Sequence, residues 1–326
     1  MLRAPHACVV LLLLLGCKND APPAPAAPAM VFDVGVDGVD IGAATDAGTD
    51  ADADTGLSVK HSFLWRVERD GRRSWLFGTI HGGVKADWEH LPPDVRRAVD
   101  IARTIVFETD IRESDASAVA THLTLPRKSS LRRALGPQRF AKLVEYTGHP
   151  PETLDRYQPW VVHGELVNRW LPDEQPVDAW IMEHARERNK KLDYLETMID
   201  QIEALDEAIT VEVLARTIDN LDRQEQTMTA AVESYRTGDI AGLTQSLFSA
   251  EDVARYPAMY EALFESRNKA WLPEIKQHLQ RGDTLIVVGA GHLIGPENLI
   301  EMLRATGWNV VRSAYKARTS SFETTP

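Results

Sequence analysis

Cysteine is nearly absent from this chain. Of 326 residues only two are Cys, and both, Cys8 and Cys17, fall in the opening segment. The remainder can hold no disulfide, thiolate metal site, iron–sulfur cluster or cysteine nucleophile. Positive charge is also scarce: 36 Lys and Arg stand against 48 Asp and Glu, a net charge of −12. That balance excludes a nonspecific nucleic-acid footprint. The apolar run Val9 to Leu15 is too short to span a bilayer as a mature helix. No Gly-x-Ser-x-Gly elbow, His-Glu-x-x-His helix or Walker loop is present.

What is present at the N-terminus reads as an export signal, with Arg3 before the apolar run. It closes on Leu14-Leu15-Gly16-Cys17, which resembles a bacterial lipobox. The expectation is a lipidated Cys17. Lys18 follows it in place of aspartate, which points to the outer membrane of a Gram-negative cell envelope. Residues 18–57 are rich first in Ala and Pro, then in Asp and Gly. Such a stretch cannot bury a core and is expected to be a disordered tether. Its acidic repeats lack the residue order of an EF-hand loop. The expected organisation is therefore a signal over 1–17, a tether over 18–57, a folded domain over 58–316 and a flexible tail over 317–326.

Within the domain, "FLWRVERDGRRSWLFGTIH" reads as two strands turning at Asp70-Gly71. Pro92-Pro93-Asp94 opens a helix, and Thr104 to Asp110 is a strand. Ala116 to Arg188 is mostly helical, with breaks at prolines and glycines. A strand runs from Lys191 to about Glu196, and more helix continues to about Gly282. The chain closes with a strand (Thr284 to Val288), a helix (Pro296 to Thr306) and a strand (Trp308 to Val311). Continuous apolar strands alternating with helices predict an α/β fold: a mostly parallel central sheet with a large helical insert.

Two segments share one pattern, an apolar run followed by Gly-x-x-His: Gly78 to His81 and Gly289 to His292. Glu108 follows Ile105-Val106-Phe107, and Glu196 follows Leu195. All four titratable residues fall at predicted carboxyl ends of strands, the edge where open parallel sheets bind ligands. The histidines are expected to be presented there and not buried. Two imidazoles and a carboxylate form a divalent-metal set with a position left for water. His81, His292 and Glu108 are the predicted metal ligands. Glu196 is open between a proton-transfer group, a residue that orients the ligands, and structure. His163, His184 and His278 lie in helical stretches and are expected to be structural or exposed. Tyr235, Tyr256 and Tyr260 are expected to pack, and Trp160, Trp170, Trp180 and Trp271 to line the core or a cleft.

The ordered set "FLWRVE…SWLFGTIH", "VFE", "DAWIMEHARERNKKLDYLETMIDQIEAL", "ESRNKAWLPEI" and "VVGAGHLIGPENLIEMLRATGWNVV" resembles the TraB/GumN family, over roughly Phe63 to Val311. That family includes the Tiki-like metalloproteases. The resemblance implies an α/β domain related to haem-binding ChaN and erythromycin-esterase folds. It implies Mn- or Co-dependent proteolysis through the paired Gly-x-x-His motifs and a glutamate. The ligand types themselves also admit Zn. It also singles out Arg267 and Asn268 as residues that would orient substrate or stabilise negative charge. The resulting expectation is a lipid-anchored, metal-dependent hydrolase, with peptidase the favoured class, acting on a peptide or small molecule, in which Glu196 assists proton transfer. The alternatives are a non-catalytic envelope lipoprotein that captures haem or metal, and a degenerate enzyme kept as an interaction module.

Overall fold

The computed structural model describes residues 62–80, 82, 84, 88–110, 116–171 and 176–313. Cys17, the tether, His81 and the tail lie outside these residues. Among the described residues no helix is long and apolar enough to cross a membrane.

The domain is built on a six-stranded sheet of order β4-β3-β5-β2-β1-β6. Its strands are β1 (Leu64–Arg69), β2 (Arg72–Thr79), β3 (Thr104–Phe107), β4 (Lys191–Tyr194), β5 (Thr284–Gly289) and β6 (Asn309–Arg312). β4, β3, β5 and β2 pair in parallel, while β1 runs antiparallel to both β2 and β6. The α/β reading with a mostly parallel sheet thus holds. The antiparallel exception has a local cause. Asp70 (φ 51°) and Gly71 (φ 73°) both adopt the left-handed conformation that a two-residue hairpin turn demands. The hairpin reverses β1 on β2, and β6 then adds to the free side of β1.

Burial explains the apolar runs. Every residue of β5 is buried, as are Ser74 to Thr79 of β2. Helices therefore cover both faces of the central strands. The expected helical insert is present between β3 and β4, and the long helical region between β4 and β5 includes Leu221–Thr237 and Ser266–Arg281.

Several boundaries differ from expectation. β3 ends at Phe107, three residues before Asp110. β4 ends at Tyr194, two residues before Glu196. The last helix begins at Leu299 and not Pro296. Asn298 caps it, its side chain accepting the Glu301 N–H at 3.0 Å, and Glu297 before it is left-handed at φ 47°. A left-handed residue cannot continue a helix, so the proline signal yields to the asparagine cap. The segment ahead instead forms a single helical turn, Gly291–Ile294.

Candidate active site at the carboxyl edge of the sheet

The parallel strands deliver the expected residues to one edge. β2 and β5 pair with Gly78 opposite Val288 and Thr79 opposite Gly289, so the two Gly-x-x-His segments leave adjacent strands side by side. The Ala290 N–H donates to the Thr79 carbonyl at 2.9 Å, extending the ladder past β5. A Cβ on Gly78 would sit 3.0 Å from the Ala290 Cα, so the crossing needs glycine there. The buried Tyr235 hydroxyl donates to the Gly78 carbonyl at 2.8 Å.

On the other side, the ladder also continues past β3 and β4. The Glu196 N–H donates to the Glu108 carbonyl at 2.9 Å, which sets the two carboxylates next to each other. Both side chains are only 7% exposed. Two like charges so placed need a counter-cation, and Arg267 supplies it. Its Nη2 donates to Glu196 Oε1 at 2.6 Å and to Glu108 Oε2 at 2.8 Å. Nε donates to Glu196 Oε2 at 3.1 Å. Nη1 donates to the Leu263 carbonyl at 3.0 Å and approaches His292 Nε2 at 3.2 Å. All five guanidinium N–H groups therefore have acceptors. Arg267 is the second residue after a π-helical segment, Glu261–Glu265, and the carbonyl it reaches back to lies within that segment.

Glu108 and Glu196 each have further donors. Glu108 Oε1 accepts the Gly289 N–H at 2.6 Å, and Oε2 accepts from Gln201 at 3.2 Å. Glu196 Oε2 accepts from the Trp271 indole at 3.1 Å. Burial pushes the Glu196 carboxyl upward, opposed by the charge and hydrogen bonds of Arg267, and the neighbouring Glu108 pushes it further up. For Arg267, burial works against the charge but Glu196 and Glu108 outweigh it, and its pKa is raised.

His292 is wholly buried, contrary to the expectation that it would be presented to solvent. The reason is the helical turn it occupies, which folds it beneath Trp271 and Phe264, with ring centroids 4.5 and 5.1 Å away. Its tautomer follows from its partners. Asn268 Nδ2 donates to the Glu297 carbonyl at 2.9 Å, so Asn268 Oδ1 faces His292 Nδ1 at 2.7 Å and must accept its proton. Nε2 then carries the lone pair, as the Arg267 Nη1 contact independently requires.

Of the sequence-predicted residues, Glu108, Glu196, Arg267, Asn268 and His292 thus form one connected network. Arg267 contacts both carboxylates, and Asn268 orients His292. Sequence reasoning missed Gln201 and gave Trp271 only a lining role. A signal for Gln201 was present: Thr197 and Asp200 form a capping box that starts the helix Met198–Ala208 directly after Glu196. Trp271 lies one turn beyond Arg267 on the same helix face. Of the other histidines, His163, His184 and His278 are all buried. His184 stacks against both Trp88 and Trp180, with ring centroids 4.5 and 4.8 Å away.

The donor chemistry fits a divalent cation. The Nε2 lone pair stands 3.7 Å from Glu108 Oε1. Two atoms bound to one ion at about 2.1 Å lie no more than roughly 4.2 Å apart. With both glutamates ionised, they and Arg267 carry a net charge of one negative unit, which makes the site attractive to a cation. An ion on Nε2 would require Arg267 Nη1 to give up its contact there.

Fold and site together define an α/β protein with a carboxylate–guanidinium–imidazole network at the carboxyl edge of a mostly parallel sheet. The model of the TraB/PrgY/gumN family matches residues 63–312, and the chain belongs to that family. It is 21% identical to Metalloprotease TIKI1 of Danio rerio over 78% of this chain and 64% of that protein. It is 20% identical to a Metalloprotease TIKI homolog of Amphimedon queenslandica, over 78% of this chain and 62% of the relative. The match thus spans less than two thirds of these relatives' length. It is also 23% identical to the uncharacterised protein YbaP of Shigella flexneri, over 72% of this chain and 88% of that one. No solved structure matches the chain.

Proposed function

We propose that this protein is a metal-dependent hydrolase, acting on peptides, held at the cell envelope by a lipid on Cys17. The observation that carries the reading is His292: a buried imidazole whose tautomer is set by Asn268 so that Nε2 faces Glu108 at the edge where both Gly-x-x-His segments emerge. The metalloprotease names of the Tiki relatives support the same chemistry. His292 and Glu108 would hold the ion with His81, and Mn, Co or Zn suits such a nitrogen and oxygen set. A divalent ion there would lower the pKa of its water toward ~7.

The chain's own groups have separable tasks in this reading. Burial raises the Glu196 carboxyl above its ordinary range, with Glu108 adding to the rise against the pull of Arg267 and Trp271; a carboxylate so raised is suited to take up a proton and pass it to a leaving group. Arg267 keeps the two carboxylates in place and screens their repulsion. Asn268 holds His292 in register. The Trp271 indole donates to Glu196 and fixes its orientation. The test is to purify the chain, measure bound metal, and assay mixed peptides with added Mn, Co or Zn before and after chelation. Chelator-sensitive cleavage supports the reading; absence of cleavage with every metal overturns it.

A further inference from the structure

A second group of metal-ligating side chains lies outside this network. Asp193 on β4 and Glu274 and His278 on the helix Ser266–Arg281 bring one ligand atom each to within 4.8 Å of one another. Glu274 and His278 are four residues apart, so one helix face presents both. His278 is 3% exposed in its side chain, yet its Nε2 points at two carboxylates. It stands 3.5 Å from Asp193 Oδ2 and 4.0 Å from Glu274 Oε1. Both distances exceed the range of about 2.7–3.2 Å for an N–H···O hydrogen bond. They fall within the roughly 4.2 Å that separates two ligands of one ion at most. Asp193 and Glu274 are 37% and 46% exposed, which leaves room for small adjustment. Asp193 Oδ1 accepts the Tyr194 N–H at 3.1 Å, so Oδ2 is the oxygen that faces His278.

The protonation state is compatible. Burial holds the His278 imidazole below its ordinary range. Asp193 and Glu274 push it up, and Arg281 and Lys191 push it down. A neutral imidazole beside two half-exposed carboxylates is a donor set suited to a first-row transition-metal ion.

We propose that Asp193, Glu274 and His278 form a second divalent-metal site, selective for transition metals of the zinc class, that clamps the helix Ser266–Arg281 to β4. The helix carries Arg267, Asn268 and Trp271; the chain leaving β4 carries Glu196. An ion joining the two would fix the spacing across which Arg267 and Trp271 meet Glu196. The site lies on the order of 10–16 Å along the helix from Arg267, so it is separate from the sheet-edge network.

The test uses the full chain in detergent, with Zn²⁺ as the probe. Metal content after equilibrium dialysis and the melting midpoint with and without Zn²⁺ are measured for wild type, His278→Gln, Asp193→Asn, Glu274→Gln and His292→Ala. Each of the first three variants is expected to bind one Zn²⁺ fewer per chain, or to bind it at least about tenfold more weakly. Each should also lose a Zn²⁺-induced rise of about 5 °C in the midpoint. His292→Ala should retain this ion. Asp193→Asn and Glu274→Gln alter half-exposed groups and remain readable if the buried His278→Gln misfolds. Unchanged Zn²⁺ content and midpoint rise in Asp193→Asn and Glu274→Gln overturn the proposal. Zn²⁺ lost only in His292→Ala also overturns it, while leaving the sheet-edge reading intact.

Discussion

With all five N–H groups engaged, Arg267 holds together two buried carboxylates that no other cation among the described contacts satisfies. Removing one partner of a buried pair costs about 3–5 kcal/mol. Arg267→Ala is expected to lose stability of that order in urea unfolding at pH 7, and a loss under about 1 kcal/mol would contradict the network. Asn268→Ala should leave the fold but release the His292 tautomer. The ¹⁵N shifts of the imidazole should show an Nδ1-protonated ring in the wild type and a mixture in the variant; an Nε2-protonated wild type would contradict the assignment. His163 gives a pH prediction. It is fully buried with neither ring nitrogen hydrogen-bonded to protein, and burial lowers its pKa from 6.5 to about 3. The folded state therefore binds fewer protons than the unfolded chain between those values. Stability present above pH 6.5 is lost as the pH falls toward 3, on the order of a few kcal/mol. His163→Leu should lose this acid sensitivity at little cost at pH 7, because no hydrogen bond is broken. Equal urea midpoints for the two proteins at every pH from 7 to 4 would refute it. At this scale the titratable residues were legible from their strand-end positions, but their partners were not. Glu196 and Arg267 lie 71 residues apart, and only the fold states that they meet.

The strands were legible where their cause was local. Asp70-Gly71 set the hairpin, and uninterrupted apolar runs set β2, β3 and β5. The strand order was not legible, because pairing between β3 and β5 depends on which residues meet after a long helical excursion. The burial of His292 was hidden for a similar reason: Phe264 and Trp271 reach it from a distant element. Two glycines separate local conformation from packing. Gly71 is left-handed with nothing within 4 Å of an added Cβ, so Gly71→Ala should cost about 1 kcal/mol and leave the site untouched. Gly78 faces the Ala290 backbone, so Gly78→Ala must displace the turn that carries His292. It should cost about 1–3 kcal/mol and lower activity as well. Thermal unfolding and turnover measured on both variants check the distinction; a fully active Gly78→Ala would show that the turn absorbs the methyl group.

For the molecule as a whole, the described domain and the proposed anchor make independent demands. Cys17→Ser should move the protein from the membrane fraction to the soluble one with an unchanged unfolding midpoint, and retention in the membrane would overturn the lipid anchor. The proposed metal-dependent chemistry requires the paired Gly-x-x-His segments to act as one unit, and residues that act together are strongly non-additive. The most direct measurement is chelator-sensitive peptide turnover beside bound-metal content for wild type, His81→Ala, His292→Ala and the double variant. Turnover is expected to fall to background in each single variant, with the double no worse, while all four stay folded. Wild-type turnover and full metal content in both single variants would contradict the account.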